Sequence, residues 1–130
     1  MKEIYKPIKN YEGKYEVSNL GNVRNIFWDV YTSLSGDYKK GKREYIKSKP
    51  RYKQIKGWLN EKGYHRVCLR NNGKSKYFYV HRLVADAFID NSDDLPCVHH
   101  IDNVSTNNVV NNLMWVTRKE NTQYYWNKII

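Results

Sequence analysis

The chain has 130 residues, 40% of them hydrophobic and 15% aromatic, which excludes wholesale disorder and suits one domain or two small units leaning on each other. The formal net charge is +10, which makes a polyanion the leading partner. No apolar run approaches the roughly 18 residues of a membrane span.

From the start, Met1 to Lys9 alternates charged and apolar residues and lacks the apolar stretch of a signal peptide, so a soluble intracellular protein is expected. Ile4 to Trp28 reads as short strands, with turn signals at Glu12-Gly13 and Gly21-Asn22. Val30 to Lys56 is the basic stretch: from Lys39 to Lys56 there are nine Lys/Arg and one acid, Glu44, with Tyr38, Tyr45 and Tyr52 interleaved. This is either a solvated surface loop or an arm that tracks a nucleic-acid backbone, its cations neutralising phosphates and its tyrosines stacking or packing in a groove. Charge is uneven overall, +12 over residues 1–80 and −2 over residues 81–130. The first part should grip a polyanion and the second should not.

A hairpin follows. Residues Tyr64 to Arg70 alternate, Asn71-Asn72-Gly73-Lys74 turns the chain, and Lys76 to Val80 returns. Leu83, Val84, Ala87 and Phe88 then have helical spacing. His81, at the head of that helix, is read as capping or packing, with direct phosphate contact as the alternative. Cys97 to Ile101 is a short strand, Asp102 to Asn112 a polar loop crowded with asparagine, and Leu113 to Val116 a second strand. Thr117 and Glu120 form a capping box, so a helix should start near Arg118 and carry Asn121 in its first turn. Trp115 is assigned to the core, and Tyr124, Tyr125 and Trp126 are expected to pack against the hairpin. Cys68 and Cys97 are far apart and fit two reduced thiols better than a disulfide or a zinc knuckle.

The adjacent pair His99-His100, taken with Asn112 and Asn121, forms the pattern with chemistry in it. Phosphodiester hydrolysis needs an activated water, a counter-charge for the developing phosphorane and help for the leaving oxygen. A neutral imidazole can take the water proton near pH 7. A divalent cation on a neutral nitrogen or oxygen ligand set can supply the charge. Neighbours on an ideal strand point to opposite faces, so the strand must twist or end there if both histidines serve one site.

These residues carry a family resemblance. Val80-His81-Arg82-Leu83-Val84-Ala85, Val98-His99-His100-Ile101-Asp102, Asn107-Asn108 and Asn112-Leu113-Met114-Trp115-Val116-Thr117 to Asn121 resemble the HNH homing endonucleases of phages and bacterial introns. Tyr11-Glu12-Gly13-Lys14-Tyr15-Glu16-Val17-Ser18-Asn19-Leu20-Gly21-Asn22-Val23-Arg24 resembles the NUMOD4 module that often precedes them.

The resemblance implies an α+β fold, a small antiparallel β module followed by a ββα-metal (HNH, His-Me finger) nuclease domain. The division expected is 1–56 for the module and basic DNA-binding region and 57–130 for the nuclease, with its hairpin and helix in 57–90 and its ββα core in 96–130. It implies His100 as general base, His99 and Asn121 as metal ligands, and Asn112 as the brace of the loop. The cofactor implied is a divalent ion, Mg²⁺ with Mn²⁺ as substitute. The partner is double-stranded DNA, contacted through Arg24, Lys39, Lys40, Lys42, Arg43, Lys47, Lys49, Arg51, Lys53, Arg66 and Arg70. No membrane and no partner protein are implied, monomer and homodimer stay open, and the location is the cytoplasm of a bacterial or phage-infected cell.

The chain departs from the family pattern in three places. Asn103 stands where Gly is common, and Asn tolerates the left-handed conformation. Tyr5 replaces a usual Trp, read as a core exchange. Only nine residues follow Asn121, where many relatives carry a further DNA-binding module, so less specific target recognition is expected. The competing reading is a catalytically silent HNH-fold DNA-binding protein; an RNA-binding protein has no RNA motif in its favour.

Overall fold

Turn chemistry sets out the first sheet. A computed structural model describes residues 1–28, 30–32, 45–47 and 49–129. Gly13 and Gly21 take φ of +78° and +88°, which glycine adopts without a Cβ penalty, and between them the chain reverses twice. Strands β1 (Tyr5–Pro7), β2 (Tyr15–Ser18) and β3 (Val23–Phe27) pair antiparallel in that order, and β3 takes as its second partner a fourth strand from further along the chain. Between β3 and that partner lies an antiparallel ribbon of β4 (Val30–Thr32) and β5 (Tyr45–Lys47). The partner is β6 (Arg51–Ile55), which completes the sheet β1-β2-β3-β6.

A second antiparallel sheet holds β7 (Trp58–Leu59), β8 (His65–Asn71) and β9 (Lys74–Tyr79). Asn72 and Gly73, with φ of +52° and +75°, make the two-residue turn expected between β8 and β9. Val67 and Leu69 are wholly buried, one face of the alternation. Helix α1 (Val80–Phe88) buries Val80, Leu83, Val84 and Ala85. Its N-cap is Tyr79, with no side-chain capping bond. His81 therefore packs and does not cap.

The last unit is β10 (Cys97–His100), a single 3₁₀ turn (Val110–Asn112), β11 (Leu113–Val116) and α2 (Arg118–Ile129). Strands β10 and β11 pair antiparallel, with His99 opposite Met114 and His100 opposite Leu113. This is the strand–loop–strand–helix order expected from the sequence, and helix α2 begins where the capping box placed it. Thr117 N donates to Glu120 Oε1 at 3.0 Å, and Glu120 N donates to Thr117 Oγ1 at 3.1 Å.

One core joins the first sheet, the second sheet, α1 and the β10–β11 pair. Ile8, Tyr11, Tyr15, Val17 and Val23 from the first sheet pack with Val67 and Leu69, with Val80, Leu83, Val84 and Ala85 of α1, and with Val98, Leu113 and Trp115. The packing thus does not divide at residue 56, where composition changes. Tyr5, read as a core exchange, is half-buried instead: the Arg24 guanidinium lies 3.7 Å from its ring. Cys68 and Cys97 are both free thiols. Among the described residues no helix is long and apolar enough to cross a membrane.

Candidate active site

The loop between β10 and β11 is short of apolar residues and is held by its own amides. Asn112 Oδ1 accepts from Asp102 N at 3.0 Å, and its Nδ2 donates to Asp102 Oδ1 and to Asn107 O, each at 2.9 Å. Asn107 Nδ2 donates to Asp102 Oδ2 at 2.8 Å, and Val104 N donates to Asp102 Oδ1 at 2.8 Å. The Asn107 amide, then the Val104 N–H and the Asn112 amide, hold the Asp102 carboxyl below the usual carboxylate range. Asn103 sits at φ +61°, the left-handed position anticipated for it. Asn112 thus closes the loop across its base, where Ile101 N also donates to Asn112 O at 2.8 Å.

His99 and His100 are both buried, at 8% and 6% exposure. As strand neighbours they have different surroundings. His99 stacks on Tyr124 of α2, ring centroids 4.0 Å apart and planes 12° from parallel. His100 faces His81 at 4.8 Å and Tyr64 at 6.0 Å between centroids. Its Nε2 lies 2.8 Å from Oδ1 of the buried Asn108. The strand ends at His100, and both histidines line one cleft of about 510 Å³.

Asn121 and Thr122 of α2 form part of the same cleft, as do Lys62, Tyr64, His81, Arg82 and Tyr125. Among the described residues no carboxylate lines it. Lys62 stands on a turn organised by Asn60, whose Oδ1 accepts from Lys62 N and Tyr64 N. Arg82 is fixed by donating from Nη1 to Pro96 O at 2.7 Å and lies over the Trp115 ring. Burial first, then the charges of His100 and Arg82, push the His81 imidazole down to about 3. Burial, then His100, also lowers His99. Neutral imidazoles at pH 7 follow for both.

An imidazole and a neutral amide, His99 and Asn121, are among the side chains lining the cleft that could donate to a metal. Among the described residues no group of three or more His, Cys, Asp or Glu could form a closed cage. The pair fits a divalent ion that completes its shell with water and substrate oxygens, the open arrangement of a hydrolytic centre.

His99, His100 and Asn121 are therefore brought together, and Asn112 lies behind them as a brace. The basic residues assigned to DNA divide into several cases. Arg24 is already engaged, 2.7 Å from Glu16 and 3.7 Å from the rings of both Tyr5 and Tyr52. Arg66 lies over Tyr79 and Tyr77. Arg70 donates from Nε to Ser75 Oγ at 3.1 Å. Lys49, Arg51 and Lys53 are exposed, with Arg51 and Lys53 on one face of β6. Lys39, Lys40, Lys42 and Arg43 lie outside the described residues, and Lys47 is described only as part of β5.

Two expectations were incomplete. Tyr124 packs on His99 and not on the hairpin, while Tyr125 and Trp126 are about 60% exposed and meet each other edge to face. The 3.6-residue period of α2 could have put Tyr124 and Asn121, three apart, on one face. Lys62 and Asn108 escaped because their place depends on contacts distant in sequence.

A family model described as the NUMOD4 motif matches residues 3–70, and one described as HNH endonuclease matches residues 78–123. The chain belongs to the HNH endonuclease family, its nuclease motif preceded by a NUMOD4 motif. Among its relatives is DNA endonuclease I-HmuI of Bacillus phage SP01, 38% identical over 119 residues, which are 92% of this chain and 55% of that protein. An uncharacterized HNH endonuclease of Acanthamoeba polyphaga mimivirus is 40% identical over 74 residues, 57% of this chain and 22% of the relative. The fold is similar to a solved structure described as DNA binding and cleavage by the HNH homing endonuclease I-HmuI, with TM-score 0.68 and 36% identity over 96% of this chain and 59% of that one. The chain thus spans little more than half of I-HmuI and about a fifth of the mimivirus protein.

Proposed function

We propose that the chain is a divalent-metal-dependent DNA endonuclease of the homing-endonuclease type, hydrolysing phosphodiester bonds in intracellular duplex DNA. The observation that carries this is one cleft lined by His99, His100, Asn121, Lys62 and Arg82, with no carboxylate among the described residues of its wall. Lys62 and Arg82 draw the backbone phosphate into this cleft. His100 takes a proton from water as the water oxygen bonds to phosphorus; the bond from phosphorus to the 3′ oxygen breaks and that oxygen takes a proton from solvent water, leaving 5′-phosphate and 3′-hydroxyl ends. His99 and Asn121 would hold a divalent ion, Mg²⁺ with Mn²⁺ as substitute, which would supply stabilisation of the developing negative charge when bound. Asn112 keeps the loop closed around the two histidines. Exposed Lys49, Arg51 and Lys53, with the basic residues 39–47, supply affinity for the phosphate backbone.

Similarity to I-HmuI over most of the chain supports this reading. A plasmid assay tests it. Supercoiled DNA incubated with the protein and Mg²⁺ should be converted to open-circular or linear form, and chelation should stop the conversion. Binding without conversion under Mg²⁺ and Mn²⁺, on plasmids of diverse sequence, would identify a silent HNH fold.

A further inference from the structure

The turn from Ser18 to Asn22 in the NUMOD4 region is tied down from within. Ser18 Oγ accepts from Leu20 N at 3.2 Å and Asn22 N at 3.0 Å and donates to Glu3 Oε2 at 2.8 Å. Asn19 Oδ1 accepts from Ile4 N, and Asn19 Nδ2 donates to Lys2 O. The turn in turn meets the nuclease loop. Val110 N donates to Asn19 O at 2.8 Å. A Cβ placed on Gly21 would lie 2.9 Å from the Cβ of Asn108 and 3.1 Å from its carbonyl oxygen. Neither is the free end of a flexible side chain, so Asn108 would have to move. Asn108, 5% exposed, is also the residue whose Oδ1 lies 2.8 Å from His100 Nε2.

An amide oxygen accepts and does not donate, so this bond places the imidazole proton on Nε2 and the lone pair on Nδ1. We propose that Asn108 is a positioning residue for His100, selecting its tautomer and fixing its ring, and that the Gly21 turn holds Asn108 in place. The NUMOD4 region then helps to assemble the nuclease loop in addition to gripping DNA. Asn112 has a different task, since its bonds close the loop on itself and none of those described above reaches His100. The proposal rests on the reading of His100 as the general base.

Asn108→Ala should lower kcat by about 10–100-fold, the usual scale for removing a group that orients an active residue, with KM and DNA affinity nearly unchanged. Asn108→Asp keeps an acceptor oxygen and should recover most of the rate. Nitrogen-15 NMR of histidine-labelled protein should show the Nε2–H form of His100 in the wild type and a mixture of tautomers in Asn108→Ala. Gly21→Asn, which tolerates the left-handed turn but adds a Cβ against Asn108, should also lower kcat. Combined with Asn108→Ala it should cost little more, because the two act through one contact.

Wild-type turnover in Asn108→Ala would overturn the proposal. So would equal losses in Asn108→Ala and Asn108→Asp with the tautomer unchanged in both, which would reduce Asn108 to loop packing. Full additivity of Gly21→Asn and Asn108→Ala would remove the turn from the arrangement. A wild-type protein that cleaves no DNA would defeat the nuclease reading, and the NMR comparison would still decide the Asn108–His100 bond.

Discussion

The NUMOD4 side and the cleft side of this molecule handle charge in opposite ways. Residues 1–80 carry +12 and residues 81–130 carry −2, yet the cleft, built mostly from the second part, has Lys62 and Arg82 and no carboxylate among the described residues of its wall. The acids of the second part go elsewhere: Asp86 and Asp90 border a separate hollow at the end of α1, and Asp102 is spent inside the loop. Net charge thus describes the grip on a polyanion, while local placement decides where a phosphate can enter. Affinity and chemistry should be separable by mutation, even though the two sides share one core.

The largest effect should come from His100→Ala. A general base acts on the transition state and little on ground-state binding, so cleavage should fall by about 10²–10⁴-fold while DNA affinity holds. Single-turnover rates beside equilibrium binding would show this, and a parallel fall in both would erase the separation. Next, His99→Ala and Asn121→Ala should each move half-maximal activity to at least about tenfold higher metal concentration, with excess Mn²⁺ restoring part of the rate. An unchanged metal titration in both would put the ion on other residues. On the other side of the comparison, changing Lys39, Lys40, Lys42 and Arg43 together to Gln should flatten the log–log salt dependence of binding by up to about three units. The chemical step on saturating DNA should be untouched. A slope identical to wild type would make the basic stretch a solvated loop.

Legibility in the sequence followed the range of the interactions. The Asn72-Gly73 turn, helix α1 and the Thr117–Glu120 capping box depend on neighbours a few residues apart, and all appear as expected. His99, His100 and Asn121 were visible because their family motifs are local strings, and the fold gathers them into one cleft. Arg24 was misleading: basicity alone cannot show that Glu16, eight residues back, and Tyr52 on a distant strand already hold it. Asn108 was legible as half of an Asn-Asn pair, but its contact with Gly21 joins positions 87 residues apart, which no periodicity records. His81 was weighed as capping or packing against phosphate contact, and its ring contacts with Tyr64, Tyr79 and His100, without a side-chain capping bond, match the packing half of that reading.

His81 also gives the comparison its smallest and most local test, since it is a half-buried residue of the cleft wall and not part of the basic stretch. Burial, then His100 and Arg82, push its pKa down from 6.5 to about 3, and its buried Nδ1 has no hydrogen-bond partner among the described residues. His99 is lowered as well, by burial and then His100. In the unfolded chain both should titrate near 6.5. Below that value the unfolded state binds the protons that the fold refuses, so stability is fully present above pH 6.5 and declines as pH falls. The decline is up to about 1.4 kcal/mol per pH unit for each group. Between pH 6.5 and 5 the carboxylates held low, Glu3, Asp102 and Glu120, are still ionised and add little to the slope. His81→Phe keeps a ring among Tyr64, Tyr79 and His100 but removes one titration, so its urea midpoint should fall less steeply over that window. A mutant as steep as the wild type would show that the proton is refused elsewhere, with His99 the next position to replace.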